Sequence, residues 1–193
     1  QEFMELEEKP GMQGAAPALP AGQPCYRLEG VSFRYPGCTD FALRDAGFEV
    51  RKGEHVAIVG ENGAGKSTLV KLMLNLYSPE SGEVLFCGSP VASYGKEMSN
   101  KCDYLPQDFI RYQATLRENV LLHMPEAEIP DERMIEVLEQ VGLAELLKEI
   151  GYNLNLTLGK LFDDGRDLSG GQWQRIALAR AMLGPSECIF LDE

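Results

Sequence analysis

Basic side chains are scarce in this sequence. Eighteen Lys and Arg stand against thirty Asp and Glu, which gives the 193-residue chain a formal net charge of −12 at pH 7. A surface of this charge repels nucleic acid backbones and anionic lipid headgroups. The composition therefore disfavours direct binding to DNA or RNA, and no nucleic-acid partner is expected.

Long apolar runs and clustered cysteines are also missing. No uninterrupted apolar run approaches the roughly 20 residues that a membrane-spanning helix requires, and the acidic N-terminus does not fit a signal peptide. The cysteines are scattered, with no CxxC pair and no histidine at ligand spacing: Cys25, Cys38, Cys87, Cys102 and Cys188. This pattern predicts reduced thiols in a cytosolic environment, without a metal cluster. Cys38 follows a Pro-Gly turn and is expected to be exposed.

The first 24 residues have the composition of a linker. A short acidic piece is followed by a stretch rich in Pro, Gly and Ala, which cannot bury enough surface to fold alone. We therefore expect residues 1–24 to connect an upstream domain to a folded domain at residues 25–193.

Residues 25–193 predict an α/β fold. Strands are expected near residues 26–35, 41–50, 83–87, 102–105 and 188–191, and the fully apolar run at residues 55–59 is expected to be a central parallel strand. Helical periodicity marks residues 66–76, 131–141, 143–150 and 170–183, and Thr115 to Glu118 has the spacing of a capping box. These elements predict a mostly parallel sheet flanked by helices, an antiparallel β portion, and an inserted helical subdomain at about residues 108–167.

A glycine-rich turn at residues 60–68 follows the apolar run and opens a helix. Its glycines let consecutive N–H groups point at an anion, and the helix adds the positive end of its dipole. Lys66 is expected to reach the outer phosphates of a nucleotide, and Ser67 to offer its hydroxyl to Mg²⁺. The alternative is an ordinary strand-to-helix turn with a solvated lysine. The predicted nucleotide-binding residues are Gly60, Asn62, Gly63, Ala64, Gly65, Lys66, Ser67 and Thr68.

Two carboxylates follow the last apolar strand. Asp192 would lie at the carboxyl end of the sheet beside the glycine-rich loop, where it could hold Mg²⁺ directly or through water. Glu193 is a candidate general base or water-orienting group for attack on the γ-phosphate. Without the glycine-rich loop, a solvated turn would explain both residues equally well.

The segment Leu168-Ser169-Gly170-Gly171-Gln172 is the most specific in the chain. It offers a serine hydroxyl and exposed glycine N–H groups at a helix N-terminus, which form a second anion site with its own dipole. A single chain cannot easily fold both anion sites onto one phosphate, so an intermolecular site is expected. The alternative is a helix cap with no ligand.

Together these motifs resemble the nucleotide-binding domain of ATP-binding cassette (ABC) proteins, a P-loop NTPase fold. The matching segments are Walker A at residues 60–68, the Q-loop at Gln107, the signature at residues 168–172 and Walker B at residues 188–192, in the family's order. Tyr35 lies where the family has an adenine-stacking aromatic, with a core tyrosine as the alternative.

The resemblance implies an ATPase in which two domains pair head to tail around ATP. Lys66 and the loop amides would hold the phosphates, while Ser67, Gln107 and Asp192 would serve Mg²⁺. Glu193 would polarise the attacking water, with Lys66 and Gln107 completing the catalytic set. The predicted contacts with the partner's nucleotide are Ser169, Gly170, Gly171 and Gln172.

The linker and residues 115–120 resemble exporter-type ABC proteins, in which a membrane domain precedes the ATPase on the same chain. This implies a transmembrane partner domain, a second ABC ATPase domain, and a place on the cytoplasmic face of the cell membrane. Arg117 to Val120 and the loop at residues 159–165 are candidate contacts with the membrane domain, although the loop departs from the usual Gly-Glu-Arg-Gly-like run.

The sequence ends at Glu193, so the D-loop and switch histidine of the family are not in it. We therefore expect a domain truncated after Walker B and weakly active or inactive by itself. Two alternatives remain: a soluble ABC ATPase associated with ribosomes or DNA, and an ATP-binding fragment with little turnover.

Overall fold

The computed structural model describes residues 24–108, 110–122, 124, 128–159 and 166–192. They form two compact units, which we call the first unit (the described residues up to 99) and the second unit (the described residues from 100 onward). Among the described residues, no helix has both the length and the apolar character needed to cross a membrane.

The first unit is built on a four-stranded antiparallel sheet with the order β2-β1-β3-β4. Its strands are β1 (Tyr26–Phe33), β2 (Leu43–Val50), β3 (Ser81–Phe86) and β4 (Ser89–Pro90). Alternation in β1 buries Tyr26 and Leu28, and a register shift then places Val31 and Phe33 in the same core. The strands predicted at residues 26–35, 41–50 and 83–87 are confirmed with slightly different bounds.

Helix α1 (Lys66–Met73) begins directly after the glycine-rich loop, as predicted. Its buried face consists of Thr68, Leu69, Leu72 and Met73. The Tyr26 hydroxyl donates a hydrogen bond of 3.1 Å to the Met73 carbonyl, which ties the helix to β1. The expected extension of the helix to Leu76 is wrong: Asn75 adopts a left-handed φ of 58° and turns the chain, leaving Leu76 62% exposed.

Three short turns follow β4 and were not predicted. They are α2 (Val91–Tyr94), a 3₁₀ turn (Gly95–Glu97) and α3 (Met98–Lys101). None is long enough to show the helical periodicity on which sequence-based recognition depends.

The second unit combines a parallel strand pair with helices. β5 (Cys102–Leu105) and β6 (Cys188–Leu191) pair in parallel, with Cys102 opposite Cys188 and Leu105 opposite Leu191. The helices are α4 (Leu116–Val120), α5 (Asp131–Gln140), α6 (Ala144–Glu149) and α7 (Gly170–Leu183). Their apolar faces share one core, which includes Leu116, Val120, Met134, Leu138, Leu147, Trp173 and Ile176.

The predicted central strand at residues 55–59 is not formed. Residues 54–60 have no strand pairing in the described structure, and Val56, Ile58 and Val59 are 49%, 40% and 89% exposed. An apolar run predicts that a segment will be buried, but a parallel strand also needs neighbours that come from distant parts of the chain. The expectation of a mostly parallel sheet is likewise wrong for the described strands, because β5 and β6 alone pair in parallel.

Candidate functional site

The loop before α1 has the backbone geometry of an anion cradle. Gly63 and Gly65 adopt φ values of 86° and 91°, which side chains rarely tolerate, and the Ala64 N–H donates to the Glu61 carbonyl at 3.1 Å. Gly65 is the N-cap of α1, so the first amides of the helix face the loop. Glycines with positive φ before a helix start are what such a site requires, and phosphate binding by residues 60–68 stays a prediction.

We expect Gly65→Ala to destabilise the protein more than Gly63→Ala. Both residues have positive φ, which costs alanine about 1–2 kcal/mol. A Cβ on Gly65 would also lie 2.5 Å from the Ala42 carbonyl oxygen, whereas a Cβ on Gly63 meets no atom within 4 Å. Urea unfolding of the two variants should differ by at least about 1 kcal/mol. Equal losses would show that the contact with Ala42 is unimportant.

Lys66 is held by the loop that it follows. Its Nζ donates hydrogen bonds of 2.8 Å to the carbonyls of Gly60 and Glu61. The ammonium is therefore kept beside the glycine-rich turn, where it would meet the outer phosphates of a bound nucleotide. Ser67 is exposed at the next position of α1, while Thr68 is buried.

Tyr35 lies against this helix. Its hydroxyl shares a hydrogen bond of 3.0 Å with Thr68 Oγ1, and its ring packs edge-on against Phe33 and Tyr77 at centroid distances of 5.1 and 5.4 Å. The Lys71 ammonium lies 5.6 Å from the ring centroid. The ring is half-buried. Both interpretations of Tyr35, a base-stacking ring and a core tyrosine, remain predictions.

In the second unit, Gln107 and Asp192 follow neighbouring strands. β5 ends at Leu105 and β6 ends at Leu191, and these two residues are paired, so both polar side chains emerge at the same edge. The Asp192 N–H donates to the Leu105 carbonyl at 3.0 Å and continues the pairing by one residue. Gln107 is exposed. Glu193 lies outside the described residues.

Tyr104 is a neighbour of Asp192 that sequence reasoning missed. Its hydroxyl donates to the Asp192 Oδ2 at 2.9 Å. Partial burial, and then the hydrogen bond to this carboxylate, raise the pKa of Tyr104 to about 12. The phenol therefore stays protonated at neutral pH and acts as a donor that orients the carboxylate. The alternation of β5 was the only available signal, and it does not reveal a partner 88 residues away.

We expect Tyr104→Phe to weaken the Mg²⁺ binding that the sequence predicts for Asp192. Losing an outer hydrogen bond to a metal-binding carboxylate typically costs roughly 10-fold in metal affinity. The measurement is the Mg²⁺ concentration that half-saturates ATP hydrolysis by the intact protein. Tyr152→Phe, which removes the same atom from an exposed tyrosine of the second unit, should leave this concentration unchanged. An unchanged half-saturating Mg²⁺ concentration in Tyr104→Phe would show that Tyr104 does not orient the Asp192 carboxylate for metal binding.

The predicted signature segment forms the start of α7. Ser169 is the N-cap: its hydroxyl accepts a hydrogen bond from the Gln172 N–H at 3.2 Å, and the Gln172 side chain accepts one from the Ser169 N–H at 2.9 Å. Leu168 is buried and anchors the segment, whereas Gly170 and Gly171 are exposed. The capping box thus fixes a helix N-terminus whose glycine backbone is open to solvent.

Arg117, predicted to contact a membrane domain, forms local bonds in the second unit. It donates to Asn155 Oδ1 at 3.1 Å and pairs with Asp131 at 2.8 Å. The capping box of Thr115 and Glu118 is confirmed at the start of α4. Residues 160–165, most of the loop predicted to make similar contacts, lie outside the described residues.

Comparison with known proteins agrees with these motifs. The family model described as "ABC transporter" matches residues 43–193. The nisin transport ATP-binding protein NisT of Lactococcus lactis subsp. lactis is 41% identical over 84% of this chain and 27% of its own length. The glutathione/L-cysteine transport system ATP-binding/permease protein CydC of Escherichia coli is 40% identical over 86% of this chain and 28% of its own length.

A solved structure of a bacterial Atm1-family ABC exporter with ATP bound has a TM-score of 0.77 and 27% identity to this chain. The alignment covers 96% of this chain and 32% of the exporter chain. This chain spans less than a third of the length of the two curated relatives, NisT and CydC. On this similarity of sequence and fold, the chain belongs to the ABC transporter family and corresponds to its ATP-binding domain.

Proposed function

We propose that this chain is the ATPase engine of an ABC exporter, which binds and hydrolyses ATP to drive transport by a membrane domain. The observation that carries the proposal is a pair of glycine-bearing helix starts, each of which would bind an anion. One is the glycine loop with Lys66 at the start of α1, and the other is the capped, glycine-exposed start of α7 at Ser169. The two transport relatives and the solved exporter structure support the transport part of the proposal.

The first unit would hold the nucleotide. Backbone amides around Gly63 and Gly65 and the Lys66 ammonium would bind the β- and γ-phosphates, because both point N–H donors with positive charge or partial positive charge at the anion. Tyr35, half-buried beside α1, would stack on the adenine.

The second unit would supply groups for the metal and the water. Within the second unit, Gln107 and Asp192 would offer oxygen ligands, the type that Mg²⁺ prefers. The sequence also predicts the Ser67 hydroxyl, in the first unit, as a ligand. These residues would hold Mg²⁺, and the chemistry that the ion would supply there is positive charge beside the phosphates. Tyr104 orients the Asp192 carboxylate, and Glu193 would accept a proton from the attacking water.

The signature segment would complete the site of a second ABC ATPase domain. Ser169 already uses its hydroxyl oxygen as an acceptor for the Gln172 N–H, which leaves its O–H available to donate to a γ-phosphate. The amide of Gly171 is exposed beside it. Pairing would be favoured only while a γ-phosphate bridges the two domains, so ATP would close the dimer and hydrolysis would open it.

In the intact protein, we expect Ser169→Asp to abolish ATP hydrolysis while preserving the fold. Aspartate caps helices as well as serine does, so α7 should remain intact, but its charge would repel a γ-phosphate. Ser169→Asn keeps a capping side chain without the charge. The steady-state hydrolysis rate should therefore fall much further in the aspartate variant than in the asparagine variant. Equal rates would mean that the start of α7 does not face phosphate.

The transport part of the proposal requires a membrane domain, placed by analogy on the same full-length chain, with this domain on the cytoplasmic face. ATP-dependent movement of a transported compound into vesicles that contain the intact protein would support it. If the part of the full-length polypeptide before Gln1 contains no membrane-spanning helices, the exporter assignment fails. A soluble ABC ATPase would then be the better assignment.

A further inference from the structure

Two cysteines face each other across the parallel pair in the second unit. Cys102 begins β5 and Cys188 begins β6, and they are direct partners in the strand register. Neighbouring strands lie about 4.8 Å apart, and the Cα atoms of a disulfide are typically about 4.4–6.8 Å apart. The backbone therefore already holds these two residues at a spacing that a disulfide accepts.

The two thiols differ in a way that suits a two-step reaction. Cys102 is 5% exposed, whereas Cys188 is half-buried. The Cys102 thiol donates a hydrogen bond to the Cys188 sulfur, and this bond lowers the pKa of Cys188 although burial acts in the opposite direction. Cys188 is thus the more reachable thiol and the better source of a thiolate, while Cys102 lies directly behind it.

A second cysteine pair in the first unit provides a comparison. The Cys87 N–H donates to the Cys25 carbonyl at 2.8 Å, but both side chains are buried. Cys87 also adopts a φ of 50° in the turn after β3, outside the strand register. This pair lacks a reachable thiol, so it should react more slowly with any external reagent.

We propose that Cys102 and Cys188 form a thiol–disulfide site, which low-molecular-weight disulfides oxidise to a cross-strand bridge. The Cys188 thiolate attacks a disulfide RSSR, forming a Cys188–S–SR bond and releasing RS⁻. The Cys102 thiolate then attacks the Cys188 sulfur, forming the Cys102–Cys188 bond and releasing a second RS⁻. The two protons of the cysteine thiols end on the two released thiolates, so the small disulfide is reduced and the protein is oxidised.

The bridge would tie together the two strands that lead to Gln107 and Asp192. It links the first residues of β5 and β6, which end three residues later at the paired Leu105 and Leu191. The disulfide would therefore link the strand pair whose ends carry Gln107 and Asp192, without modifying either of those residues.

Peptide mapping of the intact protein tests the proposal. The probe is 2-hydroxyethyl disulfide, which is small and uncharged and so is not repelled by a chain of net charge −12. After alkylation in denaturant and trypsin digestion without reductant, we expect residues 102–111 to be linked to the peptide that begins at residue 181. Each of these peptides contains one cysteine, so the assignment is unambiguous.

Single variants test the order of the two steps. In Cys102→Ser, Cys188 should retain a 2-hydroxyethylthio adduct, because no resolving thiol is present. In Cys188→Ser, Cys102 should remain unmodified under the same conditions. The wild-type peptide map stands on its own, so it decides the proposal even where a variant folds poorly.

Exposed Cys38 serves as the internal standard, since its modification shows that the reagent worked. The proposal is overturned if Cys38 reacts and no 102–188 link forms. It is also overturned if a Cys25–Cys87 link appears at the same rate, because oxidation would then follow unfolding. Absence of the Cys188 adduct in folded Cys102→Ser would overturn it as well.

Discussion

Lys66→Ala is expected to lower ATP affinity by about 100-fold, which would abolish tight nucleotide binding. A hydrogen bond to a charged group contributes up to about 3 kcal/mol when it is buried, and about 1.4 kcal/mol corresponds to a factor of ten in affinity. Lys66 is placed for this role because Gly60 and Glu61 hold its Nζ at 2.8 Å, beside the glycine turn.

The substitution should leave the fold intact. Lys66 is the first residue of α1, and alanine is the best helix former, so the helix itself loses nothing. Lys52→Ala is the matched control, because it removes the same charge from an exposed turn of the first unit. Calorimetric titration with ATP should show the loss for Lys66→Ala and wild-type affinity for Lys52→Ala. Normal ATP binding by the Lys66→Ala protein would show that the glycine loop is not the nucleotide site.

Glu193→Gln is expected to stop hydrolysis and trap bound ATP in a complete domain. Glutamine keeps the shape of glutamate but cannot accept a proton, and loss of a general base typically lowers the rate by about 10²–10⁴-fold. Hydrogen bonding from Asp192 N–H to the Leu105 carbonyl extends the β5–β6 pairing up to the residue before Glu193. Asp192, the residue before Glu193, therefore lies at the same edge as the end of β5.

Two readouts separate trapping from simple inactivation. With ATP, the Glu193→Gln protein should retain the nucleotide through gel filtration and elute as a dimer. With ADP, it should elute as a monomer. Glu187→Gln is the control, since Glu187 lies just before β6, is exposed and pairs with Lys101. It should hydrolyse ATP normally. An unchanged rate of ATP hydrolysis in Glu193→Gln would show that Glu193 is not the general base.

Features set by neighbouring residues were predictable from the sequence. The capping box of Thr115 and Glu118 needs only a spacing of three, and the structure confirms both of its hydrogen bonds. The glycine turn before α1 and the start of α7 at Gly170 were recognised in the same way, because a motif of adjacent residues carries its own geometry.

Features that depend on distant residues were not predictable. The hydrogen bond between Tyr104 and Asp192 arises from the β5–β6 register. The sequence of one strand does not reveal which strand pairs with it or in what register. The apolar run at residues 55–59 failed for a related reason: its composition was suited to a central strand, but strand formation depends on partners elsewhere in the chain. Leu76 matched the helical period of α1, yet the turn at Asn75 ended the helix before reaching it.

The head-to-tail arrangement is the central claim, and mixing two inactive variants of the intact protein tests it most directly. Lys66→Ala lacks the phosphate-binding half of the site, and Ser169→Asp lacks the signature half. Paired with each other, they assemble one composite site in which both halves are intact. ATP hydrolysis, absent from each variant alone, should appear on co-assembly and be greatest near equal amounts of the two variants. A mixture that stays inactive at every ratio, although the variants are shown to pair, would contradict it.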